Sequence, residues 1–207
     1  MYPGYSPPLY AEGNSFNRSV MRLLLTIALL CPTWLCSAQT FREAAVRRFA
    51  LRDTSGRIQP LRPPAGKLLA VLFLSPECPL CKSYAPVLRK LQEQFAEQVY
   101  FVGIIPGEGY SLDLIRQYQA DYHLPFPLLQ DKGKQLSGYL QARVTPEAML
   151  FDPQGHLLYR GLIDNGVVSL GARRTVITAR YLEAAILQKE HTATTHTKAI
   201  GCLINID

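Results

Sequence analysis

From Phe49 onward the chain alternates between short apolar runs and longer stretches whose apolar residues recur at helical spacing. Phe49–Asp53 and Ile58–Leu61 flank Thr54-Ser55-Gly56 and predict an N-terminal β-hairpin. Leu68–Leu74 (LLAVLFL) is uninterrupted, as expected of a central strand covered on both faces. Ser75-Pro76-Glu77 then turns the chain into a helix from Pro79 to Phe95. Its Tyr84, Val87, Leu88, Leu91 and Phe95 fall on one stripe. Val99–Ile105 predicts a second buried strand, and Ser111 opens a helix through Leu114, Ile115, Tyr118 and Tyr122. A strand at Phe126–Leu129 and a short helix at Lys132–Leu140 follow. Met149–Asp152 and Leu157–Arg160 flank Pro153-Gln154-Gly155-His156 and predict a second hairpin, then a helix over Arg173–Gln188. The order is β-α-β-α-β-α-β-β-α. It predicts an α/β fold with a central mixed sheet flanked by helices.

The N-terminus departs from this alternation. Met21-Arg22 precedes an apolar run from Leu23 to Cys31, and Cys36-Ser37-Ala38 supplies small residues before Gln39. That order reads as a secretory signal peptide over about Met21–Ala38, with an apolar core too short to span a bilayer well. Neither Cys31 nor Cys36 follows the small residues of a lipoprotein site. The expected organisation is an upstream extension and signal peptide at 1–38, a domain at 45–190 and a tail at 191–207, in a periplasmic or otherwise exported protein. Residues 1–20 look unlike a leader's charged end, and Met21 is an alternative initiator.

Of 207 residues, 48% are hydrophobic and 18% charged, the balance of a globular protein. The net charge of +6 is spread along the chain without basic runs interleaved with aromatics, which argues against nucleic-acid binding.

Of the five cysteines, processing would remove Cys31 and Cys36 and leave Cys78, Cys81 and Cys202. Cys78 stands where a strand ends and a helix begins. There the first-turn N–H groups and the helix dipole favour a thiolate. Cys81 is one turn further on the same side, within reach for a disulfide, and Pro79 between them restricts the turn. A lone C-x-x-C without a second pair does not make a zinc ribbon, so redox chemistry is expected and no metal site is assigned.

The strand into S-P-E-C-P-L-C-K, Tyr84-Ala85-Pro86-Val87-Leu88, Val144-Thr145-Pro146, Phe151-Asp152-Pro153-Gln154-Gly155 and Tyr159-Arg160-Gly161 together resemble thioredoxin-like redoxins. The likeness is to exported TlpA/ResA-type thiol–disulfide oxidoreductases and the peroxiredoxin-like group. It implies a thioredoxin-like fold, Cys78 as nucleophile, Cys81 as resolving thiol and a cis Pro146 shaping the docking surface. It also implies that the Thr145 backbone pairs with an extended substrate segment beside Pro79. The implied partners are exported proteins carrying disulfides, with a membrane-bound electron donor, and the redox-active disulfide is the only cofactor.

The pattern also departs from that family. Glu77 replaces the tryptophan usual before the first cysteine, and either opposes the Cys78 thiolate or points to solvent. The buried acid usual in the central strand is missing. Glu147 is then the nearest proton acceptor, unless it too is solvated. Ser75 supplies the hydroxyl a peroxiredoxin needs three residues before its cysteine, but Val71 stands where that pattern has proline. Hydroperoxide reduction, an antioxidant activity with Cys78 as sulfenic acid, is therefore the alternative. Copper binding, as in chaperones of this fold, is weakened by the two-residue spacing and the lack of a matching histidine. In the tail, His191, His196 and Cys202 are soft-metal donors. The apolar Ala199–Ile204 is expected to dock on the body, with Cys202 a packed residue, a third redox partner or a ligand.

Overall fold

The structure is a computed structural model that describes residues 45–169, 171–188 and 193–204. The proposed signal segment, Cys31, Cys36 and His191 lie outside the described residues.

After a 3-10 turn at Ala45–Arg48, β1 (Ala50–Asp53) and β2 (Ile58–Pro60) form the expected antiparallel hairpin. Strand β3 (Leu68–Phe73) leads into helix α1 (Pro79–Phe95), β4 (Val99–Pro106) and helix α2 (Leu112–Asp121). Then come β5 (Leu128–Asp131), helix α3 (Gln135–Tyr139), β6 (Val144–Thr145), β7 (Glu147–Phe151) and β8 (Leu157–Gly161). The chain closes with β9 (Val167–Ser169), β10 (Ala172–Arg173), helix α4 (Tyr181–Leu187), β11 (Thr195–His196) and β12 (Cys202–Leu203).

Eight of these strands form one mixed sheet in the order β11-β8-β7-β3-β4-β5-β1-β2. The expected α/β class and flanked central sheet are present. Strand β3 is parallel to β4 and antiparallel to β7, so its ladder groups are satisfied on both sides. Its side chains alternate between two cores. Ala70, Leu72 and Leu74 face α1, α2 and α4, while Leu69, Val71 and Phe73 pack with Val46, Leu136 and Leu140 on the other face. That double burial is why the run reads as continuously apolar.

Ser111 caps α2, its side chain accepting from the Leu114 N–H at 3.2 Å. Among the described residues no helix is long and apolar enough to cross a membrane.

Three boundaries differ from expectation. The strand expected at 126–129 begins at Leu128, because Pro125 and Pro127 lack the N–H that a ladder needs. The short helix starts at Gln135: Lys134 is left-handed (φ 53°), and the buried Asp131 carboxylate accepts from the Leu136 and Ser137 N–H groups at 3.3 and 2.7 Å. The helix expected from Arg173 begins only at Tyr181. Arg173 instead belongs to the β9–β10 pair. Asn165 Oδ1 then accepts from the Thr178 and Ala179 N–H groups at 3.1 and 3.2 Å, drawing that stretch out of helical conformation.

Candidate active site

Helix α1 begins where β3 ends. Cys78 is its N-cap residue in extended conformation (φ −75°, ψ 116°), and Pro79 occupies the first turn, where no N–H is required. The Lys82 N–H closes the first turn on the Cys78 carbonyl at 3.2 Å. Cys81 falls on the buried stripe with Tyr84, Ala85 and Leu88, and is 0% exposed. Its sulfur accepts from the Ser75 N–H at 3.4 Å. All three described cysteines are free thiols.

The expected site residues take distinct positions. Glu77 and Pro79 are exposed. Thr145-Pro146 is a cis peptide bond, and the Thr145 carbonyl accepts from the Cys78 thiol at 3.1 Å. Cys202, in β12, pairs antiparallel with Thr145 of β6, and its thiol reaches Cys78. Cys78 therefore stands between two thiols, Cys81 from its own helix and Cys202 from the far end of the chain.

Glu147 is placed differently. It is 4% exposed, so the solvated alternative is corrected. Its carboxylate accepts from Arg160 Nε at 2.8 Å and from the Arg143 N–H at 3.1 Å. It pairs with Phe73, whose side chain is in the core opposite the one that holds Cys78 and Cys81. Residues directly paired across a ladder share a face. Glu147 thus anchors β7 to β8 and faces away from the dithiol.

The electrostatics split the three thiols. Hydrogen bonding from the Cys81 thiol pulls Cys78 from 9.0 down to about 4; burial opposes this, and the Cys202 thiol adds to it. The backbone N–H groups of Cys81 and Cys202 act in the same sense. Burial pushes Cys81 well above the ordinary thiol range, and the Cys78 charge pushes it further. Burial and Cys78 also raise Cys202, to about 11. A carbonyl can accept from the Cys78 thiol but not from its thiolate. On ionisation the sulfur is left to its two thiol donors and the Cys81 and Cys202 N–H groups. One nucleophilic sulfur flanked by two protonated thiols is arranged for thiol–disulfide exchange.

Beside Cys78 lies a cavity of about 420 Å³ between the Pro106–Tyr110 loop and β12. Ser75 is on its wall, with its hydroxyl tied to the Tyr110 hydroxyl at 2.9 Å. Sequence reasoning missed this pair, and also the buried bond from the Tyr84 hydroxyl to Asp164 at 2.6 Å that ties α1 to the β8–β9 loop. Neither leaves a local signal, since each joins residues far apart in the chain. The apolar G-C-L-I of the tail was the one available sign of a docked terminus. Among the described residues no group of three or more His, Cys, Asp or Glu is arranged to hold a metal ion.

Comparison with known proteins bears on the family and the fold. The chain is 32% identical over 117 residues to the thiol-disulfide oxidoreductase ResA of Halalkalibacterium halodurans, covering 56% of this chain and 65% of that protein. It is 27% identical over 108 residues to the thioredoxin-like protein YneN of Bacillus subtilis, covering 52% and 63%. The chain thus spans just under two thirds of the length of both relatives. A hypothetical protein from Sinorhizobium meliloti 1021 superposes with a TM-score of 0.65 at 24% identity, over 75% of this chain and 89% of that one, and shares the fold. Residues 43–160, more than half of the sequence, match the model of the AhpC/TSA family, and the chain belongs to that thioredoxin-like redoxin family.

Proposed function

We propose that the protein is a thiol–disulfide oxidoreductase that exchanges electrons with protein disulfides through Cys78 and Cys81. The observation that carries this reading is Cys78 at the N-cap of α1, one helical turn from the buried Cys81 and donating to the Thr145 carbonyl at 3.1 Å. The names of ResA and YneN support it.

In the reduced protein the Cys78 thiolate attacks one sulfur of a substrate disulfide and expels the other as a thiolate, which takes up a proton. Cys81 loses its proton and attacks Cys78 in the mixed disulfide. This releases the second substrate thiol and leaves a Cys78–Cys81 disulfide. The substrate's extended segment pairs with the Thr145 backbone, Pro146 shapes the surface beside it, and Pro79 borders it. The redox-active disulfide serves without a further cofactor. Under this reading the protein works outside the cytoplasm after removal of the segment around Met21–Ala38. Its substrates are exported proteins, and a membrane-bound donor restores the dithiol.

Hydroperoxide reduction is the second reading, favoured by the family match and by Ser75 beside the cavity. The Cys78 surroundings favour exchange over it. The sulfur is served by two thiols and a carbonyl, while Lys134, the cation on the cavity wall that could polarise an O–O bond, is not among the main groups that lower Cys78.

The test is a redox titration of the Cys78–Cys81 pair in the Cys202→Ser protein, read by mass after thiol alkylation. A reversible two-electron couple is expected. A potential near about −270 mV marks a reductant and one near about −120 mV an oxidant. Absence of any reversible couple, with Cys78-dependent consumption of hydroperoxide, overturns the reading in favour of a peroxidase.

A further inference from the structure

The nucleophile of this site is covered. Cys78 is 2% exposed, although it lies on the wall of the cavity described above. What stands against it is the chain's own terminus. Cys202 pairs with Thr145 and Leu203 with Val144 in an antiparallel ladder, and the Ile204 N–H donates to the Arg143 carbonyl at 2.9 Å. This is the backbone edge through which an extended substrate segment would add as a strand. The terminus fills it, with a cysteine at the position in contact with the catalytic sulfur.

Two glycines make the fit. A side chain at Gly201 would collide with the Thr145 carbonyl and its carbon. At Gly161 (φ 137°) a side chain would collide with Thr197. Thr197 is the tail's second fastening: its N–H donates to the Arg160 carbonyl at 2.9 Å, and its hydroxyl accepts from the Leu162 N–H at 2.8 Å and shares a 2.6 Å hydrogen bond with the Tyr159 hydroxyl. Just before it, β11 extends the main sheet alongside β8. Ile200 and Cys202 pack against the core that holds the dithiol, and Ile204 against the opposite one. The terminus is therefore anchored upstream and presents β12 across the site. The strand itself is two residues long, and Leu203 is 81% exposed. A two-residue strand whose packed residues are only half-buried opens at low free-energy cost.

We propose that β12 is a tethered substrate strand and that Cys202 is a third redox cysteine, exchanging into a disulfide with Cys78. The inference rests on the oxidoreductase reading of Cys78 and Cys81 and adds a second disulfide to it. Starting from the Cys78–Cys81 disulfide, Cys202 gives up its proton and its sulfur attacks the Cys78 sulfur. The Cys78–Cys202 bond forms as the Cys78–Cys81 bond breaks. Cys81 leaves with the electron pair and takes up a proton. One disulfide and one thiol are present before and after, so the step needs no outside oxidant. In the Cys78–Cys202 form, substrate access to Cys78 is closed by a covalent bond. In the reduced form the same strand only shields it, and a protein substrate must displace it.

The experiment compares the wild-type, Cys81→Ser, Cys202→Ser and Gly201→Ala chains, oxidised with excess oxidised glutathione and mapped by peptide mass spectrometry without reduction. Mapping also separates any bond to Cys31 or Cys36. In Cys81→Ser, an intramolecular Cys78–Cys202 disulfide is expected in most molecules. In oxidised wild type, Cys78–Cys81 and Cys78–Cys202 peptides are both expected. Gly201→Ala keeps all three thiols, and its Cys78–Cys202 fraction is expected to fall several-fold while Cys78 alkylation in the reduced protein rises several-fold. If Cys81→Ser accumulates a glutathione adduct at Cys78 or a dimer through Cys202 instead, the tethered-strand inference is overturned. An intact Cys78–Cys81 couple in Cys202→Ser would then leave the oxidoreductase reading standing. Loss of that couple in Cys202→Ser overturns the oxidoreductase reading itself.

Discussion

Two structures meet at the Cys78 sulfur, and they are held in different ways. On one side, β3, the Ser75–Glu77 turn and α1 are contiguous in sequence, and their apolar stripes run into a core where Leu72, Tyr84 and Leu88 are 1, 2 and 0% exposed. On the other, β6 and β12 are two-residue strands brought together from positions almost sixty residues apart. The first is built from burial. The second rests on a few backbone bonds, the close approach at two glycines and the half-buried Ile200, Cys202 and Ile204. Under the proposed exchange the Cys78 sulfur has to be held in place while the segment facing it comes and goes, and the division fits that requirement.

Variants separate the two sides. Cys78→Ser is expected to bring disulfide reduction of insulin down to the uncatalysed background, since no other described thiol has a lowered pKa. A rate within a few-fold of wild type would place the nucleophile elsewhere. Leu88→Ala, inside α1, is expected to destabilise the protein by about 3 kcal/mol in a urea titration, as for other fully buried leucines. A loss near zero would show that α1 is not held by its stripe.

On the long-range side, Glu147→Gln removes one partner of the Arg160 pair. Breaking a fully buried pair costs about 3–5 kcal/mol. Here Arg160 is 23% exposed and regains water, so a loss of about 2 kcal/mol is expected in the same titration. The redox potential should stay unchanged, because the carboxylate faces away from the dithiol. A shifted potential would reinstate Glu147 as a participant.

The smallest effect is on ionisation. In the reduced wild type, alkylation of Cys78 by iodoacetamide should vary little between pH 6 and 8 and fall off as pH drops toward about 4. Cys202→Ser replaces one thiol donor of the thiolate, so the midpoint is expected to move upward. A downward shift would mean that Cys202 opposes the Cys78 charge.

How far the sequence could be read follows the same division. The dithiol and its place at the start of a helix were legible because strand end, turn and first helical turn are consecutive, and the central strand because adjacent residues carry its whole apolar pattern. The period of the apolar pattern reports such short-range facts directly. Arg173–Arg180 was misread as helix because Asn165, well upstream, takes up the N–H groups of Thr178 and Ala179. Glu147 was misread because only the β7–β8 register brings Arg160 beside it.

The sequence by itself determined the redoxin fold and the place of the Cys78–Cys81 pair at the start of α1, because strand, turn, cysteines and helix are consecutive and local geometry suffices to place them. Tertiary structure alone decided what faces that pair. Whether Cys202 is a packed residue or the neighbour of the nucleophile depends on the register between β12 and β6. That register is set by the fit of Gly201 over the Thr145 carbonyl and by the Thr197 anchor at Gly161. Contacts between segments this far apart in the chain have no period in the sequence, so only the folded chain displays them.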